Sequence, residues 1–378
     1  MTNKVLCCWI RLLLWIVLFL SNVGVSGEFN VKNYGAVGDG RTDDTAALQK
    51  TFNAANKVEN WRSYEEVNQI NPILLPPTVK IPCGNYKISK SLQIGLVNID
   101  GGENALINQV NKDENIFVNT VNAWHMTIKG VSFVGGQNAI TLWNANRDKG
   151  FINIESCRFL KQSGVAIEIL PDKSGFFSTF LLVSKCTFIR PMQVLISYCD
   201  ATKMENCWIS SHKEMYNKAV IENRGKGSHG MTLDNLVCVP SVTPGENQRW
   251  IDNYDRLTIR DCRFGGEKGG FTAVYNYAKA QLKYPINPTG VWIYSSTLWV
   301  RHDPNVAIFC KEIPNQIIFR DNSGLANSSV LKVDESVNLK DIFSNVKRPD
   351  AFRFNISGNV ELMKRNAVLP EEMKQYQR

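Results

Sequence analysis

From residue 128 onward, short stretches alternate apolar and polar side chains, and one unit keeps returning. It reads Ile128-Lys-Gly-Val131-Ser-Phe133, Ile154-Glu-Ser-Cys157-Arg-Phe159, Val183-Ser-Lys-Cys186-Thr-Phe188 and Met204-Glu-Asn-Cys207-Trp-Ile209. It continues as Leu233-Asp-Asn-Leu236-Val-Cys238, Ile259-Arg-Asp-Cys262-Arg-Phe264 and Ile293-Tyr-Ser-Ser296-Thr-Leu298, with first positions 26, 29, 21, 29, 26 and 34 residues apart. Period-two alternation rich in β-branched and aromatic residues, broken by Gly, Asn, Asp and Ser, predicts strands. A repeat of this length predicts stacked supersecondary units. Helix-pair repeats would need amphipathic runs of ten or more residues, and the units offer none.

A second strand set falls between the units: Ala139-Ile-Thr-Leu-Trp143, Val165-Ala-Ile-Glu-Ile169, Gln193-Val-Leu-Ile-Ser197, Ala219-Val-Ile-Glu-Asn223 and Trp250-Ile-Asp-Asn253. Each coil thus supplies at least two strands, paired with their counterparts about 4.8 Å above and below. The expected fold is all-β, a parallel β-helix whose inward side chains stack in ladders. Cys157, Cys186, Cys207 and Cys262 share one ladder position, with Leu236 in the intervening coil. Neighbouring coils meet the disulfide distance but suit its torsion poorly, so buried thiols are favoured over ladder disulfides. No CxxC pair occurs, which removes the signature of zinc fingers and thioredoxin-type sites.

The first residues carry Lys4 and Arg11, then the apolar run Leu12 to Leu20, then small and polar residues to Gly27. Nine residues span only about 13 Å as a helix, short of a bilayer core. This predicts a signal peptide over 1–27 cleaved before Glu28, and a secreted or periplasmic chain without membrane contact afterwards. An uncleaved anchor is the alternative. The proposed organisation is a β-helix domain over 28–330 and a C-terminal cap or tail over 331–378, ending in a short exposed helix within 369–378.

The segment Tyr34-Gly-Ala-Val-Gly-Asp-Gly-Arg-Thr-Asp-Asp-Thr-Ala-Ala-Leu-Gln49 combines turn glycines with a helix start. Thr42 or Asp43 is placed to cap a helix from Thr45 that covers the first coil. This segment resembles the "YGAxGDGxxDDTxAxQ" opening of the pectate-lyase-like superfamily, which holds polygalacturonases, rhamnogalacturonases, epimerases and tailspike enzymes. Ile81-Pro-Cys-Gly-Asn-Tyr-Lys-Ile88 is similar to its "hxhPxGxYxI" strand. The resemblance implies a right-handed parallel β-helix with an N-terminal capping helix. It also implies an exported carbohydrate-active protein that cleaves, as hydrolase or lyase, or modifies an acidic polysaccharide along one flank. Asp43 and Asp44 belong to the helix start rather than to chemistry. The polygalacturonase set of Asn-Thr-Asp, Asp-Asp, Gly-His-Gly and Arg-Ile-Lys is absent from the central coils, so those roles do not carry over. A catalytically inert polysaccharide-binding or surface protein is therefore the alternative.

The 378 residues are 44% apolar and 21% charged, a globular composition. Lys and Arg number 43 against 35 Asp and Glu, a net +8 that becomes +6 without residues 1–27. The cations are scattered, which argues against nucleic acid but suits a polyuronate. If the second strand set keeps its alternation, Thr141, Glu168, Glu222 and Asp252 point outward. Glu222 and Asp252, with Arg224, Lys226 and His229, form the expected catalytic centre; Glu168, Arg249, Trp250 and Trp143 are the expected substrate contacts. Paired carboxylates serve glycoside hydrolysis, or hold Ca²⁺ while a basic side chain removes a proton beside a uronate carboxylate. No other cofactor is implied.

Overall fold

The computed structural model describes residues 27–57, 62–64, 73–122, 125–143, 150–171, 179–211, 218–225, 229–239, 248–266, 271–280, 289–300, 306–324, 329–344, 352–357, 359 and 369–377. The segment read as a signal peptide lies outside them, apart from Gly27. Among the described residues no helix is long and apolar enough to cross a membrane.

The first copy of the recurring unit lies in the single strand Met126–Gly135, but every later copy folds as two strands, so each of those coils has three. Face A contains Phe151–Glu155, Phe180–Ser184, Ala201–Glu205, Gly230–Asp234, Arg256–Arg260, Gly290–Tyr294, Gln316–Arg320 and Arg353–Ser357. Face B contains Arg158–Leu160, Thr187–Ile189, Trp208–Ser210, Val237–Val239, Arg263–Gly266, Thr297–Val300 and Ser323–Gly324. Face C contains Ile140–Trp143, Val165–Leu170, Gln193–Ser197, Ala219–Asn223, Gln248–Asn253, Phe271–Asn276, Val306–Cys310 and Ser329–Val333. Every pairing along these faces is parallel and joins one coil to the next, the arrangement of a parallel β-helix.

A single residue makes the bend between faces A and B. Ser156, Lys185, Asn206, Asn235, Asp261, Ser295 and Asp321 all adopt φ between 46° and 56°. Such a conformation costs a non-glycine residue about 1–2 kcal/mol. It is held because each bend still joins the ladder: Ser156 N donates to Ser184 O at 3.0 Å and Asn206 N to Asp234 O at 3.1 Å. The side chain that follows each bend turns inward: Cys157, Cys186, Cys207 and Cys262 make the thiol ladder, and Leu236, Ser296 and Asn322 take the same position in the other coils. All eight cysteines among the described residues are free thiols, seven of them buried. Two residues further on, Phe133, Phe159 and Phe188 stack with ring centres 5.2 and 4.8 Å apart, each pair adding about 0.5–1.5 kcal/mol beyond its buried area.

The link from A to B that holds this bend has two residues in each of these coils. The links from B to C take three to eight, and those from C to A two to nineteen. The unequal spacing of the repeats is therefore absorbed on either side of face C.

Both ends of the stack are covered. The helix Thr45–Ala55 buries Leu48, Phe52 and Ala55 over the first coils, Phe52 meeting Phe117 edge-on at 5.7 Å. Its N-cap residue is Asp44, rather than Thr42 or Asp43. The Asp44 carboxylate accepts from Val37 N and Gly38 N at 2.6 and 2.9 Å, tying the glycine turn to the helix. Asp43 Oδ1 accepts from Thr45 N at 3.0 Å in the first turn. At the other end, the strand Arg353–Ser357 extends face A beyond residue 330. The terminal helix Glu371–Lys374 is not free on the surface, because Met373 and Tyr376 are buried with Phe343, Phe352 and Phe354. An apolar pair at that spacing is better satisfied against the open last coil than in water.

Gly130 occupies the A-to-B bend one coil before Ser156, with φ +68°, and an added Cβ would stand 2.2 Å from Gly102 O. Gly130→Ala is expected to destabilise by at least about 2 kcal/mol. Ser156→Gly, which relieves the same backbone conformation, should leave the thermal midpoint unchanged or slightly higher; circular-dichroism melting of the two variants checks this.

Candidate functional site

Register is kept from coil to coil, so outward side chains of face C form one row. It runs Thr141, Glu168, Ile196, Glu222, Asp252, Tyr275, Phe309 and Lys332. Directly after three of these positions, Asn223, Asn253 and Asn276 turn inward and are buried. Asn223 Nδ2 donates to Asn253 Oδ1 at 2.8 Å, and Asn253 Nδ2 to Asn276 Oδ1 at 2.9 Å. This amide ladder fixes the backbone beneath the two central carboxylates, since a buried amide without partners would be costly.

Each central carboxylate is held by an arginine of its own coil. Glu222 Oε2 accepts from Arg224 Nε at 2.6 Å, and its Oε1 from Gln193 Nε2 at 2.8 Å. Asp252 is gripped at both oxygens by Arg249, through Nε at 3.0 Å and through Nη2. Arg249 Nη2 also donates to the Tyr277 hydroxyl at 3.1 Å. Burial pushes the Asp252 carboxyl above its ordinary value, with Arg249 opposing and the charge of Glu222 adding to the rise. Glu168 Oε2 accepts from Asn138 Nδ2 at 2.9 Å. Burial raises Glu168 as well, its bonds to Thr141 and Asn138 opposing and Glu222 adding.

The arginines are in turn backed by aromatic rings. Tyr254 and Tyr277 lie parallel, 4.7 Å apart and within 5°, while Tyr275 stacks on Phe309 at 4.6 Å. The Arg224 guanidinium stands 4.5 Å from the Tyr254 ring centre, and that of Arg249 stands 4.4 Å from Tyr275. Cation–π contact of this kind orients both cations without neutralising them. The ring faces are thus shared among arginines and other rings.

Glu222, Asp252, Arg224 and Arg249 come together as the alternation implies, with Glu168 two coils along the same row. Trp143 is half-buried on the strand of Thr141, on the same face. Trp250 is a correction. It is 1% exposed, donates from Nε1 to Gly265 O at 3.1 Å and packs on Phe264, so it cannot stack on a sugar. It shares a buried corner position with Val194 and Val220, where the alternation of each strand begins with two inward residues. His229 is not beside Glu222 and Asp252. It lies at the turn into face A, with its ring against Phe180 and its Nδ1 3.3 Å from Asp200 Oδ2. There it lines a cavity of about 330 Å³ with Phe151, Phe180 and Lys203. Lys226 lies outside the described residues. Sequence reading missed Gln193, Asn138, Tyr254, Tyr275, Tyr277 and Phe309. The signal was present in Phe271-Thr-Ala-Val-Tyr-Asn276 and Val306-Ala-Ile-Phe-Cys310, which continue the same alternation.

Calcium does not suit this row. A divalent cation between Glu222 and Asp252 would lie against two guanidinium groups, and Arg224, Gln193 and Arg249 already occupy the carboxylate oxygens. Among the described residues, no group of three or more His, Cys, Asp or Glu is arranged to hold a metal ion.

One further carboxyl lies at the corner below the row. Asp255 is 8% exposed and its Oδ2 has no hydrogen-bond partner. Burial pushes it up to about 6, with Arg256 opposing and Asp200 adding to the rise.

Residues 28–307 match the family model described as "Rhamnogalacturonase A/epimerase, pectate lyase-like". Alginate lyase 7 of Azotobacter vinelandii is 39% identical over 62 residues, 16% of this chain and only 5% of that protein's length. Among solved structures, the A-module of mannuronan C-5 epimerase AlgE6 of the same bacterium is 13% identical. It covers 88% of this chain and 93% of its own, with a TM-score of 0.45. PfbA, a surface adhesin of Streptococcus pneumoniae, is 12% identical and covers 89% of this chain and 91% of its own, with a TM-score of 0.46. Likenesses this distant do not bear on chemistry.

The raised Asp255 carboxyl makes stability depend on pH. Its proton is held more tightly in the folded chain than in the unfolded one, so its favourable contribution is complete below 3.8 and is lost as pH rises towards about 6. Asp255→Asn is expected to remove this part of the slope, making the variant relatively more stable at pH 7 than at pH 4. Thermal midpoints of both proteins across pH 4–7 test this; parallel curves would count against it.

Proposed function

We propose that this chain, which belongs to the rhamnogalacturonase A/epimerase, pectate lyase-like family, is an enzyme that holds an acidic polysaccharide along face C and acts on it at the centre of the row. The observation that carries this reading is the pairing of outward carboxylates with aromatic-backed arginines on successive coils of one sheet. Carboxylates supply acid–base chemistry, and planar guanidinium groups recognise the carboxylates of a uronate. The net +6 outside residues 1–27 favours the approach of a polyanion. The short segment shared with an alginate lyase agrees with a uronate substrate. We also propose that the mature chain begins at Glu28 and is exported; the intact mass of the secreted form tests this.

A second reading has one observation in its favour. Asp252 is 5% exposed and both its oxygens are engaged by Arg249, as in a site that binds without reacting. Incubation with polygalacturonate, rhamnogalacturonan, alginate and a neutral glucan separates the two. New reducing ends mark hydrolysis, and absorbance near about 235 nm marks an unsaturated lyase product. Epimerisation leaves chain length intact and is read by proton NMR of the uronate residues. Binding without any of these changes supports the inert reading.

On the polysaccharide that is turned over, Glu222→Gln should lower kcat at least about a hundredfold with an unchanged melting temperature. Arg224→Ala should mainly raise KM for the acidic polymer, by about tenfold or more. A KM that stays at the wild-type value would remove Arg224 from substrate recognition.

A further inference from the structure

We propose that Glu168, and not Asp252, is the proton donor of this site, working with Glu222 across the outward side chain of Ile196 to hydrolyse a glycosidic bond with inversion. The inference rests on face C being the polysaccharide-processing face and names the reaction and its acid.

The geometry duplicates one device. Asn138 and Gln193 occupy the same strand-start position two coils apart, as Glu168 and Glu222 occupy the same outward position two coils apart. Asn138 Nδ2 donates to Glu168 Oε2 at 2.9 Å, and Gln193 Nε2 donates to Glu222 Oε1 at 2.8 Å. Each glutamate is therefore steadied from the preceding coil in the same way. Between them stands Ile196, a part-exposed apolar side chain that can pair with neither carboxyl.

Spacing and environment then separate the roles. Two coil rises put the backbones of Glu168 and Glu222 about 9.6 Å apart. Because both side chains lean towards the preceding coil, the carboxyls keep about that separation, at the wide end of the range of about 6.5–9.5 Å used by inverting pairs. Glu222 and Asp252, one rise apart, match the closer separation of a retaining pair, but the grip of Arg249 and the burial of Asp252 keep it from a sugar. Among the described residues no lysine or arginine pairs with Glu168, whereas Glu222 bonds Arg224. Burial of Glu168 favours its protonated form, as a general acid requires. Asp252 is a positioning residue that acts through Arg249.

The step balances without any further reactant. The Glu168 proton passes to the glycosidic oxygen as the bond from that oxygen to the anomeric carbon breaks, its electron pair staying on oxygen. Water attacks the anomeric carbon from the opposite side and gives its proton to Glu222. Glu168 ends ionised and Glu222 protonated, and exchange with solvent restores both.

The test uses the full secreted chain and whichever of polygalacturonate, rhamnogalacturonan or alginate it turns over fastest. Proton NMR in the first minutes should show the inverted anomer at new reducing ends. Glu168→Gln should lower kcat at least about a hundredfold and abolish the alkaline fall of the wild-type pH profile. On the matching glycosyl fluoride, whose leaving group needs no proton, it should stay within about tenfold of wild type. Glu168→Asp, the control against misfolding, should keep the alkaline limb at reduced rate, and Asp252→Asn should keep it too. A retained anomer, an unsaturated or epimerised product, near-normal Glu168→Gln turnover, or equal losses on both substrates with the limb intact would overturn the inference alone. No change in any polysaccharide would instead overturn the enzymatic reading on which it rests.

Discussion

Backbone pairing between successive coils at constant register is the constraint on which everything else in this molecule depends. Once Glu222 pairs with Asp252 and Ile196 with Glu222, every other outward position of face C is fixed to within the pleat. The same condition stacks like with like inside, giving the phenylalanine stack, the thiol ladder and the buried asparagine amides. A slip of one residue in any strand would turn its acids inward and its apolar residues to water, which the burial of either would strongly oppose.

Register that aligns apolar residues also aligns charges, and like charges one coil apart repel. The chain meets this with interposed cations. On face C, Arg224 and Arg249 separate the two central carboxylates. On face A, Lys185 bridges to Glu155, Lys203 to Glu205, and Arg260 to Asp234 across or along the coils. The face A pairs are largely exposed and contribute little. Those of face C are half-buried, backed by rings and joined to a neutral amide network. That difference sets face C apart from a solvated face more clearly than the presence of acids does.

Much of this could be read from residue order. The alternation in five strands placed Thr141, Glu168, Glu222 and Asp252 on one side, because strand periodicity is strictly local. The position of Trp250 could not be read that way, since Trp250 and Ile251, like Val220 and Ile221 one coil before, both turn inward at a corner that alternation does not reveal. The placement of His229 depended on the path of the link from face C to face A, which carries no periodicity. Nor did the sequence show that Ser156, Lys185 and Asn235 share a left-handed bend. Side chains so different have only a backbone angle in common. The docked C-terminal helix was hidden for a related reason, as Met373 and Tyr376 look like surface residues until an open coil is available to receive them.

The lengths of the links around the coil give the faces different freedoms. Faces A and B meet through a bend of fixed length, so neither can be remodelled on that edge without breaking the stack. Face C is bordered on both edges by links of variable length. Segments there can be lengthened, shortened or exchanged while the row of acids and arginines keeps its spacing. A chain built this way can vary in length and sequence at the two margins of face C while its floor is inherited intact.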